Sequence, residues 1–174
     1  MITHEIITEG EVLLETLRFL LKREAIPLQV SVPSGQYIDT NQIKNDVKNI
    51  FANVNFDPDF VGSGPDVIAV SENEFWIIEC KGTGRGKPST QRTNFDRALA
   101  SIVSYFEDNP PNPPVWAKNS TVFLGLALPN SKQYLNELKR RVRIPLRKRL
   151  NLWVLLYDTK SKQIKEILPD VDYS

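Results

Sequence analysis

Apolar positions recur along this chain in two rhythms. Over residues 9–25, EGEVLLETLRFLLKREA, the residues Val12, Leu13, Leu17, Leu20 and Leu21 repeat at helical spacing. Thr8 precedes this run as an N-cap, Glu9 and Glu11 place acid in its first turn, and Pro27 ends it. Residues 28–38 hold a short β-like stretch and a turn at Pro33-Ser34-Gly35. Residues 40–53 predict a weaker helix whose buried stripe is Ile43, Val47 and Ile50. Residues 55–64, NFDPDFVGSG, read as a loop.

The rhythm then shortens. Residues 66–71 and 74–81 are apolar runs joined by a short polar link, the pattern of a β-hairpin. A basic, glycine-rich loop follows over 82–89. Residues 90–107 predict a helix with Phe95, Leu99, Ile102, Val103 and Phe106 on its apolar face, stopped by the proline-rich stretch 108–114. Residues 120–128, STVFLGLAL, read as a strand buried on both faces. A helix is predicted over 131–144, ended by Pro145, then two strands over 151–157 and 162–168. This succession predicts an α/β chain with a mixed sheet and helical layers. At 174 residues one domain over 1–174 is expected.

The hairpin carries the chemistry. In GPDVIAVSENEFWIIECKG, residues 64–82, Asp66 opens the first strand and Glu79-Cys80-Lys81 closes the second. Alternation along a strand sends Glu79 and Lys81 to one face and Cys80 to the other. Pairing of the two runs sets Asp66 beside them. Two carboxylates and an ammonium gathered there do not serve burial; they suit a divalent metal and an oriented water.

Pro65-Asp66, a gap of twelve residues, then Glu79-Cys80-Lys81 resembles the PD-(D/E)XK nuclease superfamily. The resemblance covers residues from about 9 to 128. It implies a restriction-endonuclease-like three-layer core, a central mixed β-sheet flanked by helices. It further implies a Mg²⁺-dependent endonuclease of restriction or repair type that hydrolyses DNA phosphodiester bonds, with Mn²⁺ as a substitute metal. Asp66 and Glu79 would ligate the metal, helped by the Cys80 carbonyl, and Lys81 would act on the water. An acid from the first helix often joins such sites; Glu11 and Glu15 are candidates, and Glu15, in mid-helix, is preferred. Gln91 is the polar residue expected to face the site from the following helix. With Phe95 it is similar to a Gln-x-x-x-Tyr motif in which Phe replaces Tyr. The resemblance also admits a homodimer, whose two sites would face two strands.

Net charge is only +1, but its distribution is uneven. Residues 139–149 contain seven basic side chains and no acid, and residues 81–97 five basic and one acid; together they carry +11 and leave −10 elsewhere. Such segregation suits a phosphate-facing surface. Arg85, Lys87, Arg92, Lys139, Arg140 and Arg143 are the residues expected to contact nucleic acid, double-stranded DNA first. One cysteine excludes an internal disulfide, and one histidine makes a His-rich zinc site untenable. No apolar run reaches membrane-span length, and the first residues lack a signal-peptide pattern, so a cytoplasmic protein is expected. GTGRGK misses the phosphate-loop spacing because Pro88 follows Lys87. Two other functions fit the same residues. One is a nucleic-acid-binding protein of this fold that cuts nothing. The other is an α/β enzyme using Asp66 and Glu79 as acid and base on a small molecule.

Overall fold

A computed structural model describes residues 6–35, 38–54, 57–84, 88–106 and 118–173. The chain folds as α/β with one seven-stranded mixed sheet between two helical layers. In order it forms α1 (Glu9–Lys22), β1 (Ile26–Ser31), α2 (Thr40–Ile50), β2 (Asp59–Val61), β3 (Val67–Val70) and β4 (Glu74–Cys80). There follow α3 (Pro88–Tyr105), β5 (Thr121–Pro129), α4 (Lys132–Arg141), α5 (Ile144–Leu150), β6 (Leu152–Asp158) and β7 (Gln163–Ile167). The strand order is β2-β1-β3-β4-β5-β6-β7. β3 and β4 pair antiparallel as the hairpin read from the sequence, with Val67 opposite Ile78 and Val70 opposite Phe75. β4, β5 and β6 run parallel. Parallel neighbours need crossovers, supplied here by α3 and by α4 with α5.

Each face of the sheet has its own core. Phe75 and Ile77 of β4 pack with Phe95, Ala98 and Ile102 of α3 and with Tyr134 and Leu138 of α4. Trp76, Ile78 and Cys80 turn to the other face, against Val12, Leu13, Leu17 and Leu20 of α1 and Val47 of α2. The period-2 alternation of β4 thus sorts its side chains between two layers. The direction of β4, β5 and β6 sets a second relationship. α3 and α4 both start at the edge where β4 and β5 end, and both descend toward the opposite edge.

The structure departs from the sequence reading at four places. Pro145 does not end a helix. It sits in the first turn of α5, where its missing N–H costs nothing. β2 lies inside the stretch read as a loop and pairs parallel with β1 over three residues, too short to show a period. Val103 and Phe106, read as core, are about half exposed at 49% and 48%. Arg147, counted in the basic surface run, is fully buried. Its guanidinium donates to the carbonyls of Leu168 and Val171 at 2.8 and 2.6 Å and lies over the Tyr173 ring. Among the described residues, no helix is long and apolar enough to cross a membrane.

Candidate active site

β3 and β4 hold the first three site residues by simple register. Val67 faces Ile78, so Asp66 precedes the ladder directly across from Glu79. The Cys80 amide donates to Asp66 Oδ2 at 2.7 Å, closing the open end of the hairpin. Lys81 continues β4 by donating its amide to Ala127 O of β5 at 3.0 Å. Its ammonium folds back over the strand end. There it lies 2.8 Å from the Cys80 carbonyl oxygen, 3.0 Å from Glu79 Oε1 and 3.6 Å from Asp66 Oδ2. These three groups, expected to meet, do meet.

A third acid completes the ring. Glu9, at the start of α1, places Oε1 3.6 Å from the Lys81 ammonium. The sequence reading preferred Glu15, and the structure does not bring Glu15 there. Its carboxylate pairs with Arg18 one turn along, beside a cleft near the far end of α1. Glu11 is also committed elsewhere: Oε2 accepts from Thr8 N at 2.7 Å and Thr8 Oγ1 at 2.9 Å in a capping box. Glu9 reaches the site because the residues around it are stitched to the chain beyond Lys81. Ile7 N donates to Thr83 Oγ1 at 2.9 Å, and Thr83 N donates to Ile7 O at 2.8 Å. Gly82 permits this approach. A Cβ there would stand 2.5 Å from Ile7 O and 2.6 Å from Glu9 N.

Tyr105, the last residue of α3, is the other group the sequence did not disclose. Its hydroxyl donates to Glu79 Oε2 at 3.1 Å. Twenty-six residues separate the pair, and the phenol reaches Glu79 from the far end of α3. Gln91 stands in the first turn of α3, which starts at this edge: Thr90 and Asn94 flank Gly84. Its amide oxygen is buried without a hydrogen-bond partner among the described residues. Phe95, one turn on, is core and packs against Tyr134. Cys80 points its thiol into the α1 layer, where burial pushes its pKa well up. That leaves the thiol inert and the carbonyl as its contribution.

The electrostatics follow from crowding. Side-chain exposures are 15% for Lys81, 14% for Asp66 and 8% for Glu79. Burial pushes the Asp66 carboxyl up to about 7, with Glu79 and Glu9 adding to the rise and Lys81 opposing it. Burial likewise raises Glu9. Burial alone would lower Lys81, but Asp66, Glu9 and Glu79 outweigh it and hold the ammonium protonated above its ordinary range. The Tyr105 phenol is pushed up to about 12 by burial and by Glu79, so it stays a donor at neutral pH.

Among the described residues, no three His, Cys, Asp or Glu side chains are drawn together as a ready-made metal site. The carboxylate oxygens here are spaced around an ammonium, at 3.0 to 3.6 Å from its nitrogen. The donor set nevertheless fits a hard divalent cation. It comprises three carboxylates and a main-chain carbonyl, all oxygen, with no thiolate or imidazole among them.

The residues read as a nucleic-acid surface divide by position. Arg85 and Lys87 lie outside the described residues. Arg92 is exposed in the first turns of α3, at the edge that carries the site. Lys139, Arg140 and Arg143 belong to the far half of the α4 crossover. At about 1.5 Å per residue, α4 has descended roughly 10 Å by Lys139. Lys139 and Arg143 are exposed there, while Arg140 pairs with Glu137 at 2.8 Å. Arg141 is tied to Asp96 and Glu137. Comparison of the chain with protein-family models, with curated proteins and with solved structures found no match.

Proposed function

We propose that this chain hydrolyses phosphodiester bonds of nucleic acid, double-stranded DNA in the first instance, at the end of β4. The observation that carries the proposal is the convergence of Glu9, Asp66, Glu79 and the Cys80 carbonyl on one point, with the Lys81 ammonium lodged in it. Burial and the neighbouring acids displace the Asp66 carboxyl, and a displaced group in such a cluster is a candidate functional group. A restriction-endonuclease-like core is the fold this proposal assumes.

Asp66 and Glu79 would hold a bound Mg²⁺, with the Cys80 carbonyl and Glu9 adjacent. The ion would supply Lewis-acid polarisation of the phosphate and a bound water of lowered pKa. The chain's own groups do the rest. The Cys80 amide fixes the rotamer of Asp66, so one oxygen is always presented. Lys81 is held protonated. Beside the carboxylates, it would orient the attacking water and offset charge gathering on the phosphate. Arg92, exposed at the same edge, is placed to meet backbone phosphate.

Conversion of supercoiled plasmid to nicked and linear forms tests this. The wild-type chain should cut in Mg²⁺ and stop in EDTA, and Glu79→Gln and Lys81→Ala should each lower the rate by at least about a hundredfold. Binding without cutting in either Mg²⁺ or Mn²⁺ would overturn the proposal in favour of a non-cutting nucleic-acid binder.

A further inference from the structure

Glu79 divides its two oxygens between two layers of the fold. Oε1 lies 3.0 Å from the Lys81 ammonium, within the cage. Oε2 accepts from the Tyr105 hydroxyl at 3.1 Å. Tyr105 arrives on α3, from the layer opposite α1, and its ring packs against the core on that side. Glu79 is 6% exposed, so little water can replace a lost donor.

A carboxylate rotates readily about its last torsion, since that torsion is broad and two-fold. Glu79 without the phenol could present either oxygen, or both, to a cation. With the phenol bound, one oxygen is taken. We propose that Tyr105 is a positioning residue for Glu79, holding Oε2 so that Oε1 alone is turned into the cage. This inference rests on the cage being a divalent-cation site. Hydrogen-bond donors behind a ligating carboxylate fix its orientation, and their loss typically weakens metal binding or activity tenfold or more.

Titration calorimetry with Mn²⁺ alone tests it, on the wild-type chain, Tyr105→Phe, Glu79→Gln and the double variant. Tyr105→Phe keeps the ring and should melt close to wild type, yet bind Mn²⁺ about tenfold more weakly. In the Glu79→Gln background the same change should add little, because the two side chains act as one unit. On plasmid DNA, Tyr105→Phe should lower kcat and leave KM unchanged. Wild-type Mn²⁺ affinity in Tyr105→Phe would overturn the part given to Tyr105 and leave the cage standing. A wild-type chain that takes up no Mn²⁺ would overturn both.

Discussion

The main-chain amide of Cys80 donates a 2.7 Å hydrogen bond to Oδ2 of Asp66. The acid that opens the motif is thereby oriented by the backbone of the strand that closes it. Asp66→Asn keeps an oxygen to accept this bond, whereas Asp66→Ala leaves the amide unpaired. Both should stop cleavage. Only Asp66→Ala should also lose stability for want of this bond, by about 1–3 kcal/mol, as read by urea unfolding at pH 4.

Asp66 also sets a pH dependence. Its carboxyl stands at about 7 in the fold against an ordinary 3.8. The native state keeps a proton that the unfolded chain releases, so native stability falls as pH rises from 3.8 through about 7. Asparagine at this position has no proton to lose. At pH 8, without metal, Asp66→Asn should be more stable than wild type by up to about 4 kcal/mol, and most of the gap should close by pH 4. Parallel pH profiles for the two chains would contradict the burial of this acid.

Gly82 governs where α1 begins. A methyl group there meets main-chain atoms of Ile7 and Glu9, which have no side-chain freedom with which to yield. Gly82→Ala should cost about 1–3 kcal/mol and move Glu9 out of the cage. Cleavage per folded molecule should fall with it. Glu9→Gln should lower the rate as well, while Glu15→Gln, whose carboxylate faces Arg18, should cut like wild type. Rates compared at equal folded fraction check all three.

Charge position, not charge count, should decide DNA affinity. Arg92 shares the site edge, whereas Lys139 and Arg143 lie down the α4 crossover. Arg92→Ala should weaken binding and lower the salt slope by about one. Lys139→Ala combined with Arg143→Ala should change both less. Fluorescence anisotropy over a salt series distinguishes these outcomes.

The hairpin was legible because its information is local. Alternation over 66–81 fixes which side chains share a face, and two strands of that length can close only one way. Glu9 was not legible, because its place depends on a contact with residues 82–83, far along the chain. Sequence spacing favoured Glu15, since a mid-helix acid between leucines resembles a site residue more than an acid at a helix start does. Tyr105 was hidden for the same reason: it reaches Glu79 from the far end of α3. Arg147 shows the limit of reading charge runs. One member of seven turned inward to hold two carbonyls near the C-terminal end, and nothing in its neighbours marked it out.

On the proposed function, the oxygens around Lys81 form a cation site in which the ammonium is a lodger. Crystals soaked in Mn²⁺ and measured for anomalous scattering test this. The expected map has one strong peak in direct contact with Asp66, Glu79 and the Cys80 carbonyl, with the Lys81 ammonium moved off that carbonyl. A map with no peak there, and with Lys81 still 2.8 Å from Cys80 O as it is now, would contradict it.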